Sequence, residues 1–109
     1  MNDEALVIPD LASLVSGAPA ESIVSRSVFS DEHVKASMFA FAPGQELSEH
    51  TAAWPAILHI LQGEAQLTLG TKAVHGRAGT WAYMPAHLPH SVVAETQLLM
   101  LLVVLKNEA

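Results

Sequence analysis

The sequence predicts an all-β fold, a sandwich or barrel of short strands. Short segments rich in apolar and β-branched residues recur along the chain, glycine and proline separate them, and no long stretch has apolar residues at helical spacing. A length of 109 residues is enough for one hydrophobic core but not for two. We therefore expect a single domain over residues 1–109, with the strands in about 22–105 and residues 1–21 as an N-terminal extension.

The first elements are a short helix and two strands. Residues 9–17 carry apolar side chains at helical spacing and end at Gly17, a common helix stop, so they predict a short helix. Residues 22–29 alternate between apolar or β-branched and small polar side chains, as a half-buried strand does. A turn at 30–32 separates this strand from the next, at 33–42.

The second half of the chain predicts six further strands. Residues 57–61 and 65–69 are two strands joined by a tight connection containing Gly63. The remaining strands are predicted at 72–75, 80–84, 91–94 and 98–105. The last of these is a run of eight apolar residues, far shorter than the roughly 20 that span a bilayer as a helix. We expect it to be a strand buried on both faces.

Composition excludes several classes of protein. Five basic and eleven acidic residues give a formal charge of -6, which repels nucleic acid and anionic membrane surfaces, so neither is expected as a partner. The chain has no cysteine, so it has no disulfides and no thiolate chemistry, as in a protein of a reducing compartment. The acidic first residues do not match a secretory signal, and we expect a cytoplasmic protein.

Two short motifs carry the chemical signal of the chain, and each contains a histidine. In the first motif, Gly44 is separated by five residues from His50, and Gly63 follows later. In the second, Gly79 is separated by five residues from Pro85, and His90 follows.

In order and spacing these motifs resemble the two signatures of the cupin superfamily, G(X)5HXH(X)3-4E(X)6G and G(X)5PXG(X)2H(X)3N. The resemblance covers residues 44–94, about half of the chain. It implies a small single-domain cupin of the conserved-barrel type. The fold would be a double-stranded β-helix, or jelly roll, of two facing antiparallel sheets.

The resemblance also implies a metal site that has lost half of its ligands. In the family, two histidines and a glutamate from the first motif and one histidine from the second hold a divalent metal inside the barrel. His50 and His90 match the first and last of these ligands, whereas Ala52 and Ala56 stand at the other two positions. Alanine has no lone pair, and a divalent ion normally takes at least three protein ligands.

Other residues near the motifs are expected to have structural roles. If the strand from Ala56 is regular, Leu58 and Ile60 face inward and His59 faces outward, although a bulge would reverse this. His87 stands at the glycine position of the second motif and is expected to be a turn residue at the rim of the barrel. Ala94 replaces the asparagine of that motif and removes its polar role.

The two motif histidines leave several roles open: metal ligands, a general acid and base pair, hydrogen-bonding groups for a small molecule, or polar residues of a partly filled barrel. Our first hypothesis is a binding module for a small apolar or carbonyl-containing molecule. In it, His50 and His90 orient the polar end of the ligand, and Leu58 and Ile60 line the apolar part. Trp54 would cover the apolar pocket, with a core plug or a subunit contact as the open alternatives for this residue.

The alternative is a metal-dependent cupin enzyme resembling the dioxygenases of the superfamily. His50 and His90 would be its surviving ligands to Zn, Fe, Mn or Ni, with water or Glu46 completing the coordination. In a regular strand, Glu46 and Ser48 would lie on the same face as His50. We prefer the binding module because the enzyme chemistry of the family depends on a histidine and a glutamate that are replaced here by Ala52 and Ala56. Whether the chain is an enzyme stays open at this point.

A homodimer is expected on two grounds. Small cupins often pair through edge strands, which is an implication of the resemblance. In addition, half of the residues are hydrophobic, and a chain this short has difficulty burying all of them alone.

Overall fold

The structure is a computed structural model that describes residues 4–106, and its architecture is a pair of facing antiparallel sheets. The described strands are β1 (Ile23–Ser30), β2 (Val34–Phe41), β3 (Glu46–His50), β4 (Ala56–Gln62), β5 (Glu64–Leu69), β6 (Lys72–Arg77), β7 (Trp81–Met84), β8 (His90–Ala94) and β9 (Leu98–Leu105). The five-stranded sheet has the order β1-β2-β9-β4-β7, and the four-stranded sheet has the order β3-β8-β5-β6. The chain passes between the sheets several times, as in a jelly roll, which confirms the predicted all-β fold.

The main core lies between the two sheets, where alternate residues of facing strands meet. In β4 the alternation is regular: Ala56, Leu58 and Ile60 are buried, and the residues between them are only half-buried. The buried members of this core are Phe41, Ala56, Leu58, Ile60, Ala65, Leu67, Met84, Val92, Ala94, Leu98 and Met100. This set is entirely apolar, so packing of side chains between the sheets accounts for the closed interior.

The N-terminal extension forms a second, smaller core on the outer surface of the five-stranded sheet. Val15 packs there with Met38, Ala40 and Leu99, which face away from the main core. The predicted helix of residues 9–17 is reduced to one 3-10 turn, Leu11–Leu14, because the chain is extended again at Val15. Within residues 4–106 no helix has both the length and the apolar character needed to cross a membrane.

The last strand, β9, departs from its prediction. Leu98, Leu99 and Met100 are buried, as expected of a strand covered on both faces, but the five residues that follow are only partly buried. For Leu101, Val103 and Leu105, which alternate with the residues that face the main core, the reason is that the N-terminal extension covers the outer surface of the sheet only around the beginning of β9. The rest of the apolar strand has an outer side that the single chain leaves uncovered.

The turn between β1 and β2 is closed by a carboxylate. Asp31 accepts hydrogen bonds at Oδ1 from the backbone N–H groups of His33 and Val34, both at 2.8 Å. These two bonds, the one from His33 first, lower the pKa of Asp31 from its ordinary value of 3.8, because they stabilise the charged form.

Candidate functional site

The two motif histidines come together where β3 pairs with β8. His50 is the last residue of β3, His90 is the first residue of β8, and the two are directly opposite each other in the antiparallel pairing. Their ring centroids are 4.2 Å apart, with the ring planes inclined at 60°. The structure therefore places side by side two residues that are 40 positions apart in the sequence.

A bulge in β3 determines this arrangement. Leu47 is opposite Val92, and the register then shifts before His50 meets His90. In a regular strand His50 would share a face with Glu46, as the sequence predicted, but the extra residue rotates His50 onto the face of Leu47. That face points toward the core, since Leu47 packs against it. The prediction that His50 lies on the same face of the strand as Glu46 and Ser48 was therefore wrong, because the bulge changes the face that His50 occupies.

Each imidazole is held by a backbone carbonyl two residues earlier. His50 Nδ1 lies 2.8 Å from the carbonyl oxygen of Ser48, and His90 Nδ1 lies 2.9 Å from that of Leu88. A carbonyl oxygen only accepts hydrogen bonds, so Nδ1 carries the proton in both rings. In the neutral state each Nε2 then has a lone pair that can accept a hydrogen bond or bind a cation.

The two rings differ in exposure. His50 is exposed, whereas His90 is 9% exposed. Among the described residues no buried side-chain nitrogen or oxygen lacks a hydrogen-bond partner, so the pair is not an orphaned polar group in the core. It lies at the edge of the barrel, where His90 forms the inner side of the pair and His50 faces solvent.

Two loops complete this rim. The loop of residues 51–55 follows His50, and the loop of residues 85–89 precedes His90. They are joined by a hydrogen bond of 2.8 Å from the N–H of His87 to the carbonyl oxygen of Ala52. His87 has φ of 68°, a left-handed conformation, which explains why the cupin motif has glycine at this position. Trp54 lies in the first loop and is 42% exposed.

The residues present do not fit a protein-held metal centre. Ala52 lies in the exposed first loop, and Ala56 is 6% exposed at the beginning of β4, so neither offers a donor where the cupin motif has one. Glu46 is opposite Val93, four residues before His50, which is about 13 Å along an extended strand and too far to share an ion. No group of three or more His, Cys, Asp or Glu side chains within residues 4–106 is arranged to hold a metal.

The remaining predicted site residues lie on β4. Leu58 is 1% exposed and Ile60 is 0% exposed, so both lie in the core below the rim. His59 is opposite Trp81 of β7 and Leu101 of β9, on the outer surface of the sheet. The outward orientation predicted for His59 from strand alternation agrees with the structure.

One cluster of ionisable side chains lies away from the rim. His75 Nε2 is 2.9 Å from Glu64 Oε1, and His75 Nδ1 is 3.1 Å from Glu95 Oε1. All three side chains are about half exposed, and they connect β5, β6 and the end of β8. Exposed ion pairs of this kind contribute little to stability, and we assign the cluster a structural role at most.

Comparison with known proteins agrees with this description. A family model for the cupin domain matches residues 37–105. A comparison with curated proteins finds no match.

Solved structures match over nearly the whole chain. A conserved protein of unknown function from Streptococcus pyogenes has 30% identity and a TM-score of 0.84, covering 100% of this chain and 95% of that one. A cupin superfamily protein from Desulfitobacterium hafniense has 27% identity and a TM-score of 0.84, with coverage of 98% and 94%. Protein TT1209 from Thermus thermophilus has 29% identity and a TM-score of 0.81, with coverage of 90% and 95%. Because the family model spans most of the strands and includes both histidines of the rim, this chain belongs to the cupin family.

Proposed function

We propose that this chain is a small-molecule binding protein in which His50 and His90 hold the polar end of a ligand at the rim of the barrel. The observation that carries the proposal is the geometry of the pair. The rings are 4.2 Å apart, and backbone carbonyls fix both Nδ1 protons. Each Nε2 is then oriented before a ligand arrives, which lowers the entropic cost of binding.

The protonation of the rings selects the polar group of the ligand. A neutral imidazole with its proton on Nδ1 accepts a hydrogen bond at Nε2, so it suits a hydroxyl group of the ligand. A protonated ring donates from Nε2 instead and suits a carbonyl or carboxylate oxygen.

The residues that follow the rim loop of residues 51–55 favour an apolar body on the ligand. Ala56 pairs with Met84 on one side and with Val104 on the other, and these three residues line the interior of the five-stranded sheet at this end of β4. Alanine here fills less volume than the glutamate of the cupin motif and carries no charge. We propose that Trp54 covers the ligand from the exposed loop. Leu58 and Ile60 are 1% and 0% exposed, so the predicted contact of these two residues with a ligand is not available, and they support the rim from within the core.

Nuclear magnetic resonance with a matched pair of probes tests this proposal. Naphthol and naphthalene share an apolar ring system, but only naphthol has a hydroxyl group. One hydroxyl hydrogen bond contributes about 0.5–1.5 kcal/mol, so naphthol should bind about 2- to 12-fold more tightly than naphthalene. Naphthol should also shift the Cε1–H signals of His50 and His90.

Two of the other four histidines of the chain serve as internal controls. The signals of His59 and His75, which lie away from the rim, should not move. In the His50→Phe variant the preference for naphthol should fall, while binding of naphthalene persists. If naphthol shifts neither rim histidine, or if it shifts His59 and His75 equally, the proposed site is wrong.

Metal analysis separates this proposal from the metal-dependent alternative. The protein purified without a histidine tag should contain well below one equivalent of Zn, Fe, Mn or Ni, because two imidazoles hold a divalent ion weakly. One equivalent of metal that is lost in His90→Ala would favour the enzyme instead.

A further inference from the structure

Lys72 belongs to the same row of the four-stranded sheet as the two rim histidines. His50 is opposite His90, and His90 is opposite Leu69 of β5. Leu69 is in turn opposite Lys72, the first residue of β6. Directly opposite residues share a face of a sheet, and this face is the inner one because Leu69 packs against the main core. We call these four residues the rim row, and its order is two imidazoles, an apolar side chain and an ammonium group.

Lys72 also stands across the barrel from the position of the missing glutamate. An added Cβ at Gly76 of β6 would collide with Cδ1 of Ile60 of β4, so these two strands face each other across the core. Ala56 is four residues before Ile60, and Lys72 is four residues before Gly76, so both lie at the level of the rim. Because the glutamate of the cupin motif is replaced by Ala56, β4 offers no carboxylate to the ammonium group of Lys72.

The other carboxylates near the rim do not replace that partner. Lys72 is exposed, and the ion pairs found within residues 4–106 all involve histidine. Glu46 and Glu49 are next to Leu47 and His50 of β3, which point inward, so their side chains lie on the outer surface of the sheet. The ammonium group of Lys72 is therefore available to a negatively charged group of a ligand.

A second ammonium group approaches the rim from the five-stranded sheet. Lys35 is opposite Val104, which is opposite Ala56, and Val104 packs against the main core. The two carboxylates of the turn before β2 already have partners within that turn. The whole chain has a formal charge of -6, but charges more than about 8 Å apart are largely screened at physiological ionic strength. The nearby lysines therefore favour a small anion at the rim.

Resting on the proposed function, we propose that the ligand is an organic acid that carries a hydroxyl group, with its carboxylate bound by Lys72. The hydroxyl group lies at the imidazoles of His50 and His90, and the apolar body lies over Leu69. His90 and Lys72 are two strand spacings apart, about 10 Å, so the ligand has an elongated body between its two polar ends. An ammonium group binds a carboxylate through charge-assisted hydrogen bonds, which naphthol cannot form.

The test compares naphthol with a hydroxynaphthoate whose hydroxyl and carboxylate groups are at opposite ends of the ring system. Both dissociation constants are measured on the full chain from the Cε1–H signals of His50 and His90. Hydroxynaphthoate should bind about 2- to 5-fold more tightly than naphthol at low ionic strength, as expected for an exposed ion pair. This preference should shrink at high salt, which screens the pair.

Four variants locate the carboxylate. Lys72→Met removes the ammonium group but keeps a long side chain, and it should abolish the preference for hydroxynaphthoate. Lys72→Arg keeps the charge and should retain the preference. Lys35→Met should lower the preference less than Lys72→Met, because Lys35 lies on the facing sheet. Arg77→Met is the matched control: Arg77 is exposed on the same strand as Lys72 but at the end away from the rim, and the preference should persist. Circular dichroism will show whether each variant is folded.

The outcomes separate this inference from the proposed function. If naphthol shifts the signals of His50 and His90 but hydroxynaphthoate binds no more tightly, the carboxylate site is wrong and the binding function stands. A preference that survives Lys72→Met, or that Arg77→Met abolishes, would also overturn the carboxylate site. If hydroxynaphthoate binds through Lys72 while naphthol does not bind, the carboxylate site is supported and the role of the histidines fails. If neither compound moves the two histidine signals, both proposals are wrong.

Discussion

The Gly63→Ala substitution tests whether a motif glycine is required by the backbone rather than by the site. Gly63 connects β4 to β5 with φ of 91°, and an added Cβ would collide with the carbonyl oxygen of Gln97. Gly79 provides the comparison, because its φ is 96° but an added Cβ would meet no atom within 4 Å. The two positions therefore have the same backbone strain, and only one has the collision.

The magnitude follows from these two terms. An alanine in the left-handed region costs about 1–2 kcal/mol, which applies to both Gly63→Ala and Gly79→Ala. The collision adds about 1–3 kcal/mol at residue 63 if the neighbouring backbone must move. Gln97 resists such movement because its side-chain amide donates to the carbonyl oxygen of Ala18 at 3.0 Å. We expect destabilisation of about 2–5 kcal/mol for Gly63→Ala and about 1–2 kcal/mol for Gly79→Ala.

Urea unfolding of the wild type and both variants measures these changes in the free energy of unfolding. The comparison requires that the dependence of this free energy on urea concentration is the same in all three proteins. The difference between the variants, about 1–3 kcal/mol, corresponds to roughly 4–12 °C in melting temperature for a domain of this size. Equal destabilisation by both substitutions would show that the collision is relieved at no cost. The close approach of the Gln97 carbonyl oxygen would then not explain why residue 63 is glycine.

Four further predictions concern the turns and the missing ligands. His87→Gly should raise the free energy of unfolding by up to about 1 kcal/mol, because it relieves a left-handed conformation, as thermal unfolding will show. Asp31→Ala should destabilise the protein more at neutral pH than at about pH 2 in urea unfolding. Folding lowers the pKa of Asp31, so its stabilising effect is present above the unfolded value of 3.8 and is lost as pH falls through the folded value. A chelator should leave the melting temperature unchanged, and a large decrease would contradict a fold that is independent of metal. The double variant Ala52→His, Ala56→Glu should bind Zn²⁺ at least about 100-fold more tightly than wild type in calorimetric titration, because it restores four ligands.

The sequence alone was sufficient to predict most of the strands, because their apolar residues alternate with polar ones and glycine or proline separates one strand from the next. The polar segment Glu46–His50 is different: it forms β3, yet it has no apolar alternation and was not among the strands predicted from the sequence. The run that forms β9 was predicted to be covered on both faces. An apolar run predicts a strand, but it does not show how much of each face the chain itself covers.

The meeting of His50 and His90 was predictable from the motifs, but its geometry was not. The bulge in β3 depends on how the strand pairs with β8 over a long sequence separation, and local patterns do not encode such a register. The carbonyl contacts depend in turn on the rotamers of the two rings. Sequence reasoning could therefore name the pair but not the nitrogen atoms that each ring presents.

The cupin motif residues of this chain divide into those that shape the backbone and those that bear on chemistry. The glycines at 63 and 79 both occupy backbone conformations with positive φ, and these are needed whether or not a metal is bound. Ala52 and Ala56, in contrast, occupy ligand positions, where a change affects binding and leaves the turns intact. Such a division allows the jelly roll to persist while the metal centre is lost, because the core between the sheets is apolar and needs no ion to close. Under our proposal the two imidazoles bind a ligand directly, and the naphthol titration together with the metal analysis decides between this site and the metal chemistry of the family.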